Sequence, residues 1–356
     1  MLKTSLTDLA REIERRQAGK VDYVADSREL ETISLNHGVG LRVKTDTSEF
    51  GNPLLMSKNA RRQLTTRIGI PAKYGDLMAE HAPDLFVQNA NHWLGDRKER
   101  RMVRTLFGEV RAILSDRYQR IDHDQVAEAV LPVLMETPGL EIVSCEITEK
   151  KMYIKATTAL VTGEVRKGDI VQAGVSISNS EVGSGAMLVE PFLWRLVCLN
   201  GMRINDAKFR KQHVGGRVDT GDELYRLMSA ETVASDDKTI MLKTRDVVRA
   251  ALDSVVFDTC LGRMKRAADD STKLEGDPVR AIEVLANKVG LADPERGTVL
   301  RRLIDGGDLS QWGMANAVTA AAHDTEDYDR ATDLQKLGGE VIDLTAQEWE
   351  EVKAAA

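Results

Sequence analysis

The hydrophobic period of the chain changes twice, from an interrupted N-terminal stretch to alternating strands and then to helical spacing. Leu6, Leu9, Ala10 and Ile13 share one helical face, opposite Arg11, Glu12, Glu14, Arg15 and Arg16, and predict a short first helix capped by Thr4 or Ser5. From Tyr23 to Val43 the pattern weakens, and Gly38, Gly40, Gly51 and Pro53 divide the region into loops and short extended pieces. Ser57 to Ile68 has helical spacing, which Ile70-Pro71 ends because a residue before proline is pushed out of the right-handed helical region. A second helix is expected from Pro71 to about Glu80, with proline in its first turn.

In the middle of the chain the period becomes two. Met102 to Phe107 and Glu109 to Leu114 alternate on either side of Gly108 and predict two strands meeting at a turn. Asp122 or Asp124 then caps a helix carrying Val126, Val130, Val133 and Leu134, which Pro138-Gly139 ends. Strand-like runs follow at Leu140 to Thr148, Lys151 to Val161, Asp169 to Ser178 and Ala186 to Cys198. Strands gathered around one helix, without regular helical crossovers, predict an α+β fold whose core is an antiparallel sheet with packed helices. After Asp219 the spacing returns to 3.6. Val247, Val248, Ala251, Leu252, Val255, Val256 and Leu261 predict one long amphipathic helix. Shorter helices are expected near Pro278 to Val289, Pro294 to Ile304 and Ser310 to His323, then a short strand at Val341-Ile342. The organisation expected is an N-terminal helical and irregular region (1–95), an α+β sheet core (96–218) and a helical, acidic C-terminal region (219–356).

Composition removes several classes of function. With 356 residues, 42% hydrophobic and 29% charged, the chain can bury a sizeable core, and wholesale disorder is excluded. Cys145, Cys198 and Cys260 have no CxxC or zinc spacing, which predicts free thiols in a reducing cytoplasm, with Cys198 buried in the apolar run Leu196 to Leu199. Met1 to Lys20 lacks a signal-peptide core and no apolar run reaches membrane-spanning length, so no membrane partner is expected. His37, His81, His92, His123, His213 and His323 show no ligand spacing, and neither a metal nor another cofactor is predicted. There is no GxSxG, no GxxxxGK[ST] and no GxGxxG opening a helix. Asn179 to Gly185 reads as a polar hairpin connection. Glu149-Lys150-Lys151 supplies an acid–x–lysine pair between two strands and, with Glu141, Glu146 or Asp116, leaves a magnesium-dependent nuclease open.

The formal charge of −7 argues against a uniformly basic nucleic-acid binder, but its distribution reverses that weight. Lys58 to Lys73, Arg97 to Arg120 and Arg195 to Arg217 each carry +5, so the remaining chain carries −22. Arg104, Arg111, Arg117 and Arg120 lie in or beside strands with Phe107 and Tyr118 interleaved, a pattern suited to a groove where guanidinium groups meet phosphates and rings stack on bases. Arg97, Arg101, Arg104, Arg111, Arg117 and Arg120 are therefore the expected phosphate contacts, and Tyr118 the stacking residue. Lys208, Arg210 and Lys211, beside His213 and Arg217, form a second basic segment.

Three strings also carry a family resemblance: Arg104 to Asp122, Gly168 to Gly183, and Trp194 to Met202. They resemble the phage/plasmid-like protein family, domain of unknown function 932. The resemblance implies a mobile-element setting inside a bacterial cell, where handling of single-stranded DNA is a frequent task. The element order from Met102 to Cys198 is in addition similar to that of ring-forming single-strand annealing proteins, an analogy of topology alone. The expected function is a non-catalytic, homo-oligomeric protein that binds single-stranded DNA in recombination or replication, with its acidic C-terminal region recruiting a protein partner. The alternative is an interaction or assembly protein modulating host or phage partners, which pairing of Arg104 and Arg111 with carboxylates would favour. The nuclease requires Glu149 and Lys151 to converge with another acid.

Overall fold

Ser5 caps the first helix, α1 (Leu6–Gly19), by accepting from the Asp8 amide at 3.1 Å, and Leu9 and Ile13 form its buried face. The structure is a computed structural model and describes residues 5–44, 49–204, 209–211 and 230–356. From α1 the chain passes directly into β1 (Lys20–Asp26), then β2 (Leu30–Leu35), β3 (Gly38–Val43) and β4 (Leu54–Met56). Helices α2 (Lys58–Arg67), α3 (Ala72–His81) and α4 (Pro83–Asp96) follow, then the hairpin of β5 (Arg100–Leu106) and β6 (Glu109–Ser115). These strands make one sheet in the order β1-β5-β6-β4-β3-β2, antiparallel except for the β4–β6 pair.

The stretch expected as loops from Tyr23 to Val43 is thus mostly strand. Its glycines serve the sheet: a side chain at Gly40 would meet Leu35 Cδ1 at 2.6 Å, and Gly38 (φ 134°) closes the β2–β3 hairpin. The free edge of β2 is covered by Asn91 of α4, whose amide accepts from Thr32 N at 2.7 Å and donates to Thr32 O at 2.9 Å. Because β1 pairs with β5 from Lys20↔Leu106 to Asp26↔Arg100, the sheet runs across positions 95 and 96.

The second sheet follows α5 (His123–Glu136) and comprises β7 (Leu140–Ile147), β8 (Met152–Glu164), β9 (Ile170–Asn179), β10 (Met187–Arg195) and β11 (Asn200–Arg203), antiparallel throughout. The short β12 (Phe209–Lys211) also pairs with β10. Val126, Val130, Val133 and Leu134 of α5 pack on Ile154, Ala156, Val175, Ile177 and Val189. The strand expected to reach Cys198 stops at Arg195. Arg195 pairs with Asn200, so Leu196 to Leu199 form the tip of a hairpin, and Cys198 is exposed rather than buried.

The C-terminal region is helical: α6 (Ala230–Ala251), α7 (Ser254–Ala267), α8 (Pro278–Val289), α9 (Asp293–Gly306), α10 (Gln311–Ala320), α11 (Tyr328–Ile342) and α12 (Ala346–Ala355). The single helix expected around Val247 to Leu261 is two, because Asp253 caps α7 by accepting from Val255 N at 2.8 Å. Val341-Ile342 belong to the last turn of α11 and not to a strand. Gly338 and Gly339 lie inside that helix, where a side chain would overlap Thr319 and the Arg203 carbonyl. Trp312, Leu285, Leu334 and Val341 form a core shared with Met202 and Ile204. Among the described residues no helix is long and apolar enough to cross a membrane.

Candidate functional site at the seam between the sheets

The connection from Asn179 to Gly185 joins β9 to β10 as a hairpin loop, but it runs inward. Ser180, Glu181 and Val182 are buried, and Val182 packs with Met102, Ala112, Leu114 and Tyr118. Three successive carbonyls accept from side chains of the N-terminal unit: Ser180 O from Tyr118 Oη at 2.9 Å, Glu181 O from Arg104 Nη1 at 3.0 Å and Val182 O from Gln63 Nε2 at 2.7 Å. A buried loop is tolerable only when its backbone groups find such partners. Gly183 allows the close approach, with φ 72° and room for no side chain against Leu114.

Glu181 is the centre of this seam. It is 1% exposed, and its carboxylate accepts from Lys20 Nζ and Arg111 Nη1, both at 2.6 Å, and from His123 N at 2.7 Å. Burial alone would raise its pKa, but His123, Arg111 and Lys20 together hold the carboxyl well below the usual range. Arg104 is fully buried beside it, with Nε 3.0 Å from Asp22 Oδ1 and Nη2 2.8 Å from Asp122 Oδ1. Burial opposes its charge, and Asp122 and Asp22 outweigh that penalty and raise its pKa. His123 is pushed down to about 3 by burial. Asn179 Nδ2 lies 3.0 Å from His123 Nδ1, which makes this ring nitrogen the acceptor and the imidazole neutral.

Asp122, Asp124 and Glu181 bring one oxygen each within 4.8 Å of one another, close enough to share a cation. Lys20 occupies that role. Its Nζ is 2.6 Å from Glu181 Oε1, 3.7 Å from Asp122 Oδ2 and 3.8 Å from Asp124 Oδ1, so an ammonium stands where a metal ion would.

The predicted phosphate contacts separate into two groups. Arg104 and Arg111 turn inward to carboxylates, and Tyr118 is buried with its hydroxyl committed to Ser180 O, so these three do not line an open groove. Burial pushes the Tyr118 phenol up. Arg120 is exposed, 3.4 Å from Asp22, and Arg117 is also exposed. Arg97 and Arg101 instead gather with Arg67 at the far end of β5. Arg97 donates to Arg67 O at 3.0 Å and Ile68 O at 3.3 Å, Arg67 Nε donates to Ile113 O at 3.0 Å, and Arg101 pairs with Glu99. Burial, and then the charges of Arg67 and Arg97, lower the pKa of Arg101. Arg210 is exposed on β12 and Lys211 lies 3.7 Å from Asp236, whereas Lys208, His213 and Arg217 fall outside the described residues.

Glu149 and Lys151 of the acid–x–lysine pair have different neighbours. Glu149 borders a cleft of about 400 Å³ that also takes in Glu109, whereas Lys151 Nζ lies over the Tyr153 ring and Lys150 Nζ is 4.0 Å from Asp329. Sequence reasoning missed Lys20, Asp22 and Gln63 as seam residues. Glu181 sat within a string already distinctive for its glycines, and a lone acid between Ser180 and an apolar Val182 was the available signal.

Two of the strings that carry the family resemblance meet here: Arg104 to Asp122 supplies Arg104, Arg111, Tyr118 and Asp122, and Gly168 to Gly183 supplies Asn179 to Val182. No curated protein and no solved structure matches the chain. A family model matches residues 111–335, well over half the chain. The chain belongs to the family described as Domain of unknown function (DUF932).

Proposed function

We propose that this protein is a non-catalytic binder of single-stranded nucleic acid in a phage or plasmid, acting in recombination or replication through the arginine cluster at the end of β5. The observation that carries the reading is the convergence of Arg67, Arg97 and Arg101. Half-buried guanidinium groups gathered together repel one another, and a phosphate backbone relieves that repulsion. Lys98, Arg100 and Arg117 are exposed in adjoining segments and extend the basic surface. Arg104 and Arg111 have no part in it, being neutralised within the seam. The test is fluorescence anisotropy with labelled single-stranded DNA at two salt concentrations. Binding is expected to weaken steeply with salt and little with base sequence, and the Arg97→Ala/Arg101→Ala pair to weaken it and flatten the salt dependence. No binding at low salt overturns the reading.

A second reading, an assembly protein, is favoured by the inward pairing of Arg104 and Arg111 and by the β10–β11 tip. Leu196, Val197, Cys198 and Leu199 are all exposed, Val197 at 62%. The base of this hairpin is clamped: Arg195 pairs with Asp169 at 2.6 and 2.9 Å, Trp312 Nε1 donates to Asp169 at 2.8 Å and Asn200 to Thr319 at 2.6 Å. An apolar tip held out on a rigid base suits a protein contact. Light scattering on Val197→Asp and Leu199→Asp is expected to show loss of self-association. Wild type and variants all of single-chain mass would remove this reading.

A further inference from the structure

The cleft beside the seam has a chemistry that neither reading uses. Arg16 of α1, whose Nε is held by Glu12 at 2.7 Å, Glu109 and Arg111 of β6 and Glu149 of the β7–β8 turn border it, with Leu106, Phe107 and Ile147 as apolar wall. Its volume of about 400 Å³ is in the range of a small-molecule site.

Two groups at this cleft are incomplete. Arg111 gives Nη1 to Glu181, but its Nε and Nη2 are buried and meet no acceptor among the described residues. Nε and Nη2 lie on one edge of the guanidinium and present two parallel N–H groups, the fork that matches a carboxylate or phosphate. Leaving such donors unpaired is costly. Glu109 and Glu149 are exposed, and among the described residues neither pairs with a cation. Partial burial, and then the charge of Glu149, raise the pKa of Glu109. A simple anion would suit Arg111 and be repelled by the two carboxylates, and a simple cation would meet the reverse.

We infer that this cleft is a binding site for a zwitterionic, peptide-like small molecule, whose oxyanion takes the free edge of Arg111 and whose ammonium lies against Glu109 and Glu149. Glu109 and Arg111 both border the cleft, Arg111 at the bulge where β6 shifts register against β5, so a carboxylate and a guanidinium are presented together, as the two ends of a dipeptide require. Leu106, Phe107 and Ile147 give the dipeptide's side chains an apolar surface.

The probe is the dipeptide Leu-Phe, titrated into the full chain by isothermal calorimetry beside its N-acetyl form, its C-terminal amide and inorganic phosphate. Saturable binding of Leu-Phe is expected, with both blocked forms at least about tenfold weaker. Glu109→Gln and Glu149→Gln, which touch no seam contact, are expected to weaken Leu-Phe while leaving the unfolding midpoint in place. Arg111→Lys, which keeps a cation for Glu181 but loses the fork, should weaken it further. Absence of saturable binding, equal binding of a blocked form or of phosphate alone, or indifference to all three substitutions overturns the inference.

Discussion

Glu181 Oε2 and Arg111 Nη1 meet at 2.6 Å, tying the β9–β10 connection to a strand 70 positions earlier in the chain. Neither charge has an equivalent partner in water, because Glu181 is buried among Lys20, His123 and Arg111. Replacing Glu181 by Gln keeps the shape but leaves Arg111 without its carboxylate and Lys20 with only Asp122 and Asp124, at 3.7 and 3.8 Å, and is expected to cost about 3–5 kcal/mol. Urea unfolding checks this. In a double-mutant cycle with Arg111→Met the two losses should be markedly non-additive, since the second substitution removes a charge that the first has already orphaned. Additive losses would show that the pair does not couple the two sheets.

His123 makes the seam sensitive to acid. Its folded pKa, about 3, is depressed below the unfolded value, so the unfolded chain takes up the proton first. The stability it contributes is therefore complete above about pH 6.5 and is lost as pH falls from there towards 3, by at most about 1.4 kcal/mol per pH unit. Glu181, also depressed, adds a loss in the same direction once the pH enters the ordinary carboxylate range. His123→Gln retains an acceptor for Asn179 without the titration. Its unfolding free energy should be flatter than that of the wild type between about pH 6 and 5, where carboxylates scarcely titrate.

Most of the regular structure was legible because burial follows a period. The β5–β6 hairpin at Gly108, the helix after Asp122 and the helices beginning near Pro278 and Ser310 all stand where spacing and capping residues place them. Helix α4 carried no marked signal, since its buried Phe86, Ala90 and Leu94 alternate with polar residues such as Asn89 and Asn91 that serve neighbours. The seam was legible only in pieces. Arg104 and Arg111 have the spacing of a basic surface, and what turns them inward is Asp22, Asp122 and Glu181, which arrive from three separate segments. Local pattern reports which face a side chain occupies and not what the other chain segments bring to that face.

Gly183 tests whether the seam requires its close approach. The residue adopts φ 72°, and a Cβ there would lie 2.6 Å from Leu114 Cδ2. Gly183→Ala adds left-handed strain to a steric contact, and a loss of about 1–3 kcal/mol is expected. Leu114→Ala in the same chain should relieve the contact but not the backbone strain, so the second substitution on the Gly183→Ala background should cost less than it does alone. Equal costs on the two backgrounds would show that Leu114 is not the obstacle.

Lys155 reverses the usual expectation for removing a charge. It stands opposite Ser176 on β9, which in turn stands opposite Glu190 on β10, so the three side chains share one face of the sheet. Its Nζ donates to Thr332 Oγ1 at 2.7 Å and lies 4.7 Å from the centre of the Tyr328 ring, with no carboxylate within ion-pairing distance among the described residues. Burial, and then the charge of Arg203, lower its pKa well below the usual lysine value. Because the folded pKa is the depressed one, the stability this residue allows is complete only above the unfolded lysine pKa and is already reduced at neutral pH. Lys155→Met fills the same volume without the ionisation. It is expected to stabilise the protein by about 1–3 kcal/mol at pH 7, with the gain shrinking as the pH approaches about 10. Thermal unfolding at the two pH values decides it: a destabilised variant would mean that the Thr332 and Tyr328 contacts outweigh the cost of burying the amine, and a gain that does not change with pH would mean that it does not come from the ionisation.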